Sequence, residues 1–431
     1  MNPVQERQIV QRLLRHPAGL RKPATVPAVL LLLLLAALTL TGCSVPGVGE
    51  TQQPAEQPEA VLTPGAGDPE VQEPVVRVGL ITRQGDSQAE RGARLALEQR
   101  DGQVAGMPVE LVTLTGPAGL TALAQAVEEM ISVRRVHGLV IDLDPERGAV
   151  AATVADAAGT PVVHLVGPGA AATASAFLAS PQTVDHGHAL ARHARSLGAG
   201  QAAVLYDVTS LSHRNLARAF AQHFIDLGGA VPVVDAVPGP ESGTDAGEVA
   251  RRLQRAAESH PDTVLLALPP AAAARAVAAA AELGLQVPFL GGPDWPDAAL
   301  EAAAAAAGAE LVYPVAFYPG REAAETEAFV NAYREAYGEE PAAASARAHD
   351  ATEMLLTAIE SAAAAGRFDP QDAATTRRAV IEALKELPDF RGVTGLYGAG
   401  DDTSMRWSVA LVRLTGDAGG VSVQLAGEVA P

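Results

Sequence analysis

Short apolar runs alternate with amphipathic stretches along most of the chain. The first run, PVVRVGLIT at 74–82, is rich in β-branched residues, and the QAERGARLALEQRDG that follows places its apolar residues on one side of a helix. The same pattern predicts further strands at 108–114, 138–142, 161–165, 201–206, 230–237, 263–268, 287–291 and 311–317. Short apolar strands alternating with helices are typical of parallel sheets covered on both faces, so an α/β fold is predicted.

Helices are predicted between these strands at 120–133, 149–158, 186–197, 211–227, 245–259, 271–283 and 297–307. The last part of the chain has a different order. Predicted helices at 321–337, 345–364 and 375–387 follow one another, and the hairpin-like pair MRWSVALVRL and GVSVQLAGEV comes after them. This order indicates a chain that returns to lobes begun earlier.

The amino-terminal 42 residues have the regions of a secretory signal in order. Basic residues between positions 7 and 22 precede the apolar run VLLLLLLAALTL at 29–40, which is shorter than the roughly 20 residues that cross a bilayer as a helix. Cys43 is the only cysteine, and Leu40-Thr41-Gly42-Cys43 resembles a bacterial lipobox. That resemblance implies cleavage before Cys43 and lipidation of its sulfur. The alternative is an uncleaved anchor with an idle cysteine.

Composition and charge indicate a tether followed by two lobes, and they argue against binding of nucleic acid. Residues 44–74 are rich in Pro, Gly, Gln and Glu and nearly lack large apolar side chains, which predicts a flexible tether. The 357 residues after it (431 − 74) suit two lobes better than one core. Without residues 1–42, which hold five basic residues and Glu6, 26 basic and 49 acidic residues remain, a formal charge of −23. Such a surface repels nucleic acid and anionic lipid headgroups.

Four stretches, taken in order, are similar to segments of one known family. FVNAYREAYGEEPAAASARAHDATEMLLTAIESA at 329–362 has the pattern F-x3-Y-x3-Y-G-x2-P before a helix, in which His349 replaces the tyrosine of a Tyr-Asp-Ala motif. The other stretches are VGLITRQGDSQAERGARLALEQRDG, PFLGGPDWPDAAL and FRGVTGLYGAGDD. Together they cover about 75–420 and resemble the type I periplasmic solute-binding proteins of ABC transporters, in the branched-chain amino acid (leucine, isoleucine and valine) class.

The resemblance implies an α/β fold of two doubly wound parallel-sheet lobes joined by three crossovers, near Ser180, Tyr318 and Gly398. The implied order is a lipoprotein signal peptide at 1–42, a tether at 43–74, lobe one at 75–180 and 318–397, and lobe two at 181–317 and 398–431. We therefore expect an extracytoplasmic monomer, held to a membrane by a lipid on Cys43, that binds a small polar solute for an ABC permease. The solute class implied is an amino acid or a related amide or carboxylate.

The same resemblance implies no enzymatic activity and no cofactor. The alternative to transport is a ligand-sensing or structural lipoprotein that keeps the fold. Transport requires that the lobes close around a ligand by hinge motion and that the ligand stabilise the protein. A vestigial scaffold requires neither.

Ligands of open parallel sheets bind outside the carboxyl ends of the strands, where loops present backbone N–H groups. This rule selects loops at 83–86, 144–147 and 166–169 in lobe one and at 208–212, 269–270 and 293–295 in lobe two. In the family resembled, amino-acid binders hold the ligand carboxylate with lobe-one hydroxyls and N–H groups, and the ammonium with a lobe-two acid. The ligand-binding residues predicted here are Arg83, Gln84, Arg147, Gly167, Gly169, Ser210, Ser212, Asp294, Trp295 and Tyr318.

The lobe-one hydroxyl of that family has no counterpart in this chain, because its position falls around Pro145. Arg83 or Arg147 could replace it by a bidentate clamp on a carboxylate. Alternatively, both arginines are solvated loop residues, or Arg147 pairs with Asp144 or Glu146.

In lobe two, Asp294 is the candidate acceptor for an ammonium group, with Trp295 beside it as an apolar wall. Asp294 has a rival role as the N-cap of the helix that follows. Asp297 is better placed to cap AALEAAAAAA, which leaves Asp294 freer to bind. The aromatic residue that often stacks on the family's ligand falls at Leu211 or Ser212.

A dinucleotide-binding enzyme is a competing hypothesis, because Gly167-x-Gly169 follows a predicted strand. Pro168 removes a backbone N–H where a phosphate would need one, and no acidic residue ends a second strand about 20 residues later. The pattern therefore gives little support to a nicotinamide cofactor.

Zinc binding by DHGHALARH at 185–193 is the other competing hypothesis, since Asp185, His186, His188 and His193 are all possible ligands. His188 and His193 are five residues apart, which separates them by about 140° on a helix. Asp185 or Thr183 serves equally well as a helix cap. The sequence therefore predicts a solvated helix start and no metal.

Overall fold

The computed structural model describes residues 74–430 apart from 84, 86, 167–172, 239–245, 388, 399–405 and 418–419. The signal, Cys43 and the tether lie outside this part of the chain, as do the predicted ligand residues Gln84, Gly167 and Gly169. Within these ranges, no helix combines the length and apolar character needed to cross a membrane.

Six strands form the first sheet: β1 (Val76–Thr82), β2 (Gln103–Val104), β3 (Met107–Thr115), β4 (Gly138–Asp142), β5 (Val162–His164) and β6 (Ala176–Leu178). Their order is β2-β3-β1-β4-β5-β6, and only the β2–β3 pair is antiparallel. Helices α1 (Gln88–Glu98), α2 (Leu120–Ser132) and α3 (Pro145–Ala157) connect them. Thr82 is in register with Asp142, so the carboxyl ends of β1 and β4 meet at one edge.

The second sheet begins with five parallel strands: β7 (Gln201–Asp207), β8 (Ala230–Val237), β9 (Thr263–Ala267), β10 (Phe289–Leu290) and β11 (Glu310–Val315). Helix α4 (Thr183–Ser196) precedes β7. The connecting helices are α5 (Leu211–Asp226), α6 (Ala246–Ala257), α7 (Pro270–Leu283) and α8 (Ala298–Ala307). This alternation again brings the carboxyl ends of neighbouring strands to one edge.

The last part of the chain visits both sheets. Helices α9 (Ala324–Tyr337), α10 (Ala343–Ala364) and α11 (Ala373–Lys385) are followed by a small sheet of β12 (Phe390–Arg391), β13 (Leu396–Gly398) and β14 (Arg406–Trp407). Strands β15 (Val409–Asp417) and β16 (Gly420–Val429) then extend the second sheet, with β15 antiparallel to β11. The order of that sheet is β16-β15-β11-β10-β9-β7-β8.

Helix α10 returns the chain to the first sheet. It packs along α1 and contacts β4, and Leu355 and Ile359 share a core with Val78 and Leu80. The two helices approach so closely that a Cβ on Gly92 would lie 2.0 Å from the carbonyl oxygen of Ser345. The predicted α/β fold of two lobes is confirmed, whereas the residue boundaries drawn between the lobes stay predictions.

Most departures from the predicted elements have a local cause. Helix α3 begins at Pro145 rather than at 149, because the Asp144 side chain accepts a hydrogen bond from the Arg147 backbone and proline suits a first helical position. Strand β10 covers only Phe289–Leu290 of the predicted 287–291. The short strands β2, β6, β12 and β13 were not predicted from the sequence. Strand β14 lies within the predicted strand MRWSVALVRL, which the structure divides into β14 and β15.

A buried carboxylate fastens the small sheet to α10. Asp350 is 0% exposed. It accepts hydrogen bonds from the backbone N–H of Val393 at 2.8 Å and of Thr394 at 2.9 Å, and from the hydroxyls of Thr394 and Tyr397. A Cβ on Gly392 would lie 2.4 Å from Asp350 Oδ2, so the turn needs glycine there. Burial and the neighbouring Asp350 raise the pKa of Tyr397 well above its ordinary value, which keeps its hydroxyl a donor.

We expect Asp350→Ala to lower the free energy of unfolding by about 3 kcal/mol, because it strands several buried donors at once. Urea unfolding followed by circular dichroism measures the loss. Glu360→Ala on the same helix is the control, since Glu360 is 57% exposed where it pairs with Arg100 and its loss should cost under about 1 kcal/mol. Equal costs for the two variants would contradict a structural role for the Asp350 network.

Candidate functional site

The first lobe presents an arginine and an aspartate where β1 and β4 end. Arg83 Nη2 lies 3.2 Å from Asp142 Oδ1. The Asp142 side chain is 6% exposed, whereas that of Arg83 is 50% exposed. Arg83 therefore lies at the predicted edge, already paired on one side and open to solvent on the other.

Arg147 is engaged inside the first lobe. Its Nε lies 2.5 Å from Asp144 Oδ2, and its Nη1 donates to the carbonyl oxygens of Gly116 and Pro117. Hydrogen bonds from the Arg147 backbone and side chain hold the pKa of Asp144 below its ordinary value. The predicted alternative, pairing with Asp144, is what the structure has. These contacts leave Arg147 poorly suited to a ligand clamp.

The second lobe gathers two carboxylates around a histidine. His213 Nε2 lies 3.2 Å from Asp294 Oδ2, and His213 Nδ1 lies 3.9 Å from Asp207 Oδ2. Thr209 donates its N–H and hydroxyl to Asp207 Oδ1. Ser210 caps α5 by accepting from the His213 N–H, which fixes the start of that helix. The group lies at the carboxyl ends of β7 and β10, as the strand rule predicts.

Two predicted residues of the late lobe-two loop have different surroundings. The Asp294 side chain is 42% exposed and stays available beside His213. Trp295 is 1% exposed, and its indole N–H donates to the carbonyl of Leu268 at 3.2 Å. Its ring lies so close to Gly291 that a Cβ there would be 2.0 Å from a ring atom. Trp295 is therefore a core residue, and the prediction that it walls an open cleft does not fit this burial.

The remaining predicted residues are placed as follows. Ser212 is exposed in the first turn of α5, and Tyr318 is half-buried against the core of the second lobe. Asp297 caps α8 by accepting from the N–H groups of Ala299 and Leu300, as predicted. Capping by Asp297 frees Asp294 from that role.

The histidines of α4 are held as neutral helix residues. Gln182 and Asp185 form a capping box at the start of α4. Burial lowers the pKa of His186 to about 4, and the His188 ring packs at a tilt against the His223 ring, with 4.4 Å between ring centroids. Nowhere in the described ranges do three His, Cys, Asp or Glu side chains come together to hold a metal ion.

The described residues enclose two cavities within the second lobe and one between the lobes. Two of them are at the amino ends of the second-sheet strands, lined by segments such as 197–199 and 284–289, far along the strands from the edge just described. The third lies where the connections between the sheets meet, bounded by 179–181, 315–316 and 407–408 with Thr394 and Arg347. It has room for about one water molecule.

Four residues of these edges were missed by sequence reasoning. Asp142 and Asp207 are each the last residue of a strand, a position that points an acid at the ligand edge. That signal was available in the sequence. His213 and Arg347 lie within predicted helices, where a polar residue is ordinarily expected to face solvent.

Comparisons with known proteins agree with this architecture. The family model described as a periplasmic binding protein matches residues 78–419. Three similar solved structures are a putative branched-chain amino acid ABC transporter protein from Rhodospirillum rubrum, a leucine binding protein from Thermotoga maritima, and an ABC transporter solute binding protein from R. palustris in complex with benzoate. No curated relative matches the chain.

The likeness to these structures spans nearly all of each. The first is 23% identical with a TM-score of 0.66, covering 81% of this chain and 99% of that one. The second is 24% identical with a TM-score of 0.58, covering 83% and 99%. The third is 18% identical with a TM-score of 0.56, covering 83% and 98%. At such identities the likeness shows the fold alone.

Proposed function

The chain belongs to the periplasmic binding protein family, and from this premise we propose that it captures a small polar solute between its two lobes for an ABC permease. Members of this family are ligand-binding proteins of transporters and not enzymes. The proposal adds the class of solute, the way the lobes hold it, and the attachment of the protein to a membrane.

One observation supports the proposed chemical class of the solute: the two lobes present opposite charges at the edges that face the solute. In the described part of the first lobe, Arg83 pairs with Asp142, and the charge of Asp142 also acts on Arg347. In the second lobe, Asp207 and Asp294 share a single histidine. A solute with an anionic end and a cationic end, such as an amino acid, complements both edges.

Two of the similar structures support this class of solute. One is a leucine binding protein and the other a complex with benzoate, and both of those small molecules carry a carboxylate. These two structures therefore support a carboxylate end of the solute. The ammonium end is assigned to Asp294, because Asp207 already accepts hydrogen bonds from Thr209.

We propose capture in two steps. In the open form the two edges are exposed, and the first lobe takes the anionic end of the solute. Hinge closure then brings Asp294 onto the other end and excludes water. The polar contacts strengthen as the site dries, because the local dielectric falls.

Solute binding should be visible as a gain in stability. A solute at 100 times its dissociation constant stabilises the bound fold by about 2.7 kcal/mol. We expect at least one member of a panel of amino acids, amides, short peptides, polyamines and small carboxylates to raise the melting temperature of the chain from Val75 onward by a few degrees. If no member of the panel raises the melting temperature, a sensor or scaffold that keeps the lobes but not the binding site is favoured.

Asp294 is tested by a matched pair of variants. Asp294→Asn removes the charge beside His213 and should weaken binding of an ammonium-bearing solute at least tenfold, about 1.4 kcal/mol. Asp297→Asn removes a charge three residues away, and asparagine caps a helix as well as aspartate does. It should therefore leave affinity unchanged. Calorimetry with a solute found in the panel gives both values, and equal affinities for the two variants would refute the role of Asp294.

Attachment through Cys43 is a separate proposal, supported by the lipobox and tether in the sequence. We expect Cys43→Ser to move the protein from the membrane fraction to the soluble fraction, because a lipid cannot be attached to serine through a thioether. Fractionation and immunoblotting measure the distribution. Retention of the variant in the membrane would indicate an uncleaved anchor instead.

A further inference from the structure

The cavity between the sheets is bounded by every connection that joins them. Residues 179–181 lead from β6 to the second lobe, 315–316 follow β11, and 407–408 lead into β15. Arg347 of α10 and Thr394 complete the lining. Any group that enters this cavity therefore touches each segment that must bend when the lobes move.

Arg347 brings a charge into this cavity without a full set of partners. Its Nε donates to the carbonyl of Ala343 at 3.2 Å, and its two terminal nitrogens have no hydrogen-bond acceptor among the described residues. The residue as a whole keeps some exposure, but its guanidinium lies among enough protein atoms that burial lowers the pKa of Arg347. An arginine remains charged under such conditions. A partly desolvated, under-paired charge is costly, so this position favours the binding of a counter-ion.

Trp407 also lines this cavity and carries a second unpaired donor. The residue is 3% exposed, and its indole N–H has no hydrogen-bond partner in the part of the chain that the structure describes. Buried donors are nearly always satisfied in native proteins, so an orphan donor calls for an explanation. Two residues from separate elements that line one small cavity thus carry unpaired donors.

The nearby carboxylates that the structure describes are already engaged. Asp350 accepts four hydrogen bonds, Glu428 accepts from Arg321 and Ser408, and Asp142 pairs with Arg83. The Thr394 hydroxyl donates a hydrogen bond to Asp350, and the Ser408 hydroxyl donates one to Glu428. Each of these side chains already has a hydrogen-bond partner, so none of them is left free to bind a cation. The cavity therefore favours an anion.

We propose that this cavity is an anion site that holds the carboxylate of the captured solute, with the terminal nitrogens of Arg347 and the indole N–H of Trp407 as donors. This inference rests on the proposed function for the source of the carboxylate. The cavity has room for one carboxylate oxygen. The rest of the solute lies toward Arg83 and Asp142, whose charges act on Arg347.

Trp407 provides the measurement, because the chain has only two tryptophans. In a Trp295→Phe background, Trp407 is the only remaining tryptophan. The purified protein is titrated with sodium acetate, sodium chloride and sodium phosphate at matched ionic strengths. We expect a saturable change of Trp407 emission with acetate, and at least a tenfold loss of apparent affinity in Arg347→Gln.

Two further variants control this result. Arg347→Lys keeps the charge but loses the bidentate fork, so its affinity for acetate should also fall. If Arg347→Gln does not fold, the affinity of Arg347→Lys for acetate tests the anion site in its place. Arg94→Gln removes an exposed arginine that pairs with Glu90, and it should respond as the parent does. Circular dichroism establishes that each variant is folded.

The outcomes separate this inference from the proposed function. No saturable response to acetate, or a response unchanged in the Arg347 variants, overturns the anion site. An equal response to chloride or phosphate that is lost in Arg347→Gln overturns the solute carboxylate as occupant. If a solute from the panel binds Arg347→Gln as tightly as the parent, this inference fails while the proposed function stands. If no solute binds but the acetate response needs Arg347, the anion site stands and the proposed function fails.

Discussion

The buried carboxylate of Asp350 is the constraint on which the junction of the lobes depends. A charged side chain with no solvent exposure persists only if donors surround it. Those donors come from residues 393, 394 and 397, so the small sheet cannot leave α10 without stranding them. Tyr397 in turn packs edge-on against Trp407. A single aspartate of the first lobe thus positions a tryptophan beside the segment that enters the second lobe.

The same helix that holds this carboxylate also carries the charge of the proposed site. Arg347 lies three residues before Asp350, close to one turn along α10, and α10 is fixed against α1 through the contact at Gly92. Its guanidinium is therefore placed by a rigid helix rather than by a loop. The second-lobe group is built differently, since Asp207, His213 and Asp294 come from the ends of separate elements. A donor on a rigid helix in the first lobe, and acceptors at a strand end and in a loop of the second lobe, suit a ligand that is taken first by the first lobe.

The sequence predicted the architecture better than it predicted the site. Alternation of apolar strands and helices is a local signal repeated along the chain, and nearly every long element was found within a few residues. Asp297 as a cap and Arg147 paired with Asp144 were also foreseeable, because both depend on neighbours in the chain. Trp295 was misplaced because its burial depends on the space above Gly291, which only the fold reveals. Arg347 was missed because a helical arginine shows its lack of acceptors only when distant segments surround it.

Electrostatics explains why an anionic end would need such buried donors. The chain carries a formal charge of −19, and −23 if residues 1–42 are removed, so its long-range field disfavours the approach of anions. That field is screened beyond about 8 Å at physiological ionic strength. Selection of an anion must therefore come from cations at hydrogen-bond distance in a region shielded from solvent, where charges interact more strongly. An arginine that is partly buried between the lobes meets that requirement, whereas the solvated arginines of the surface, paired with the acidic residues around them, do not.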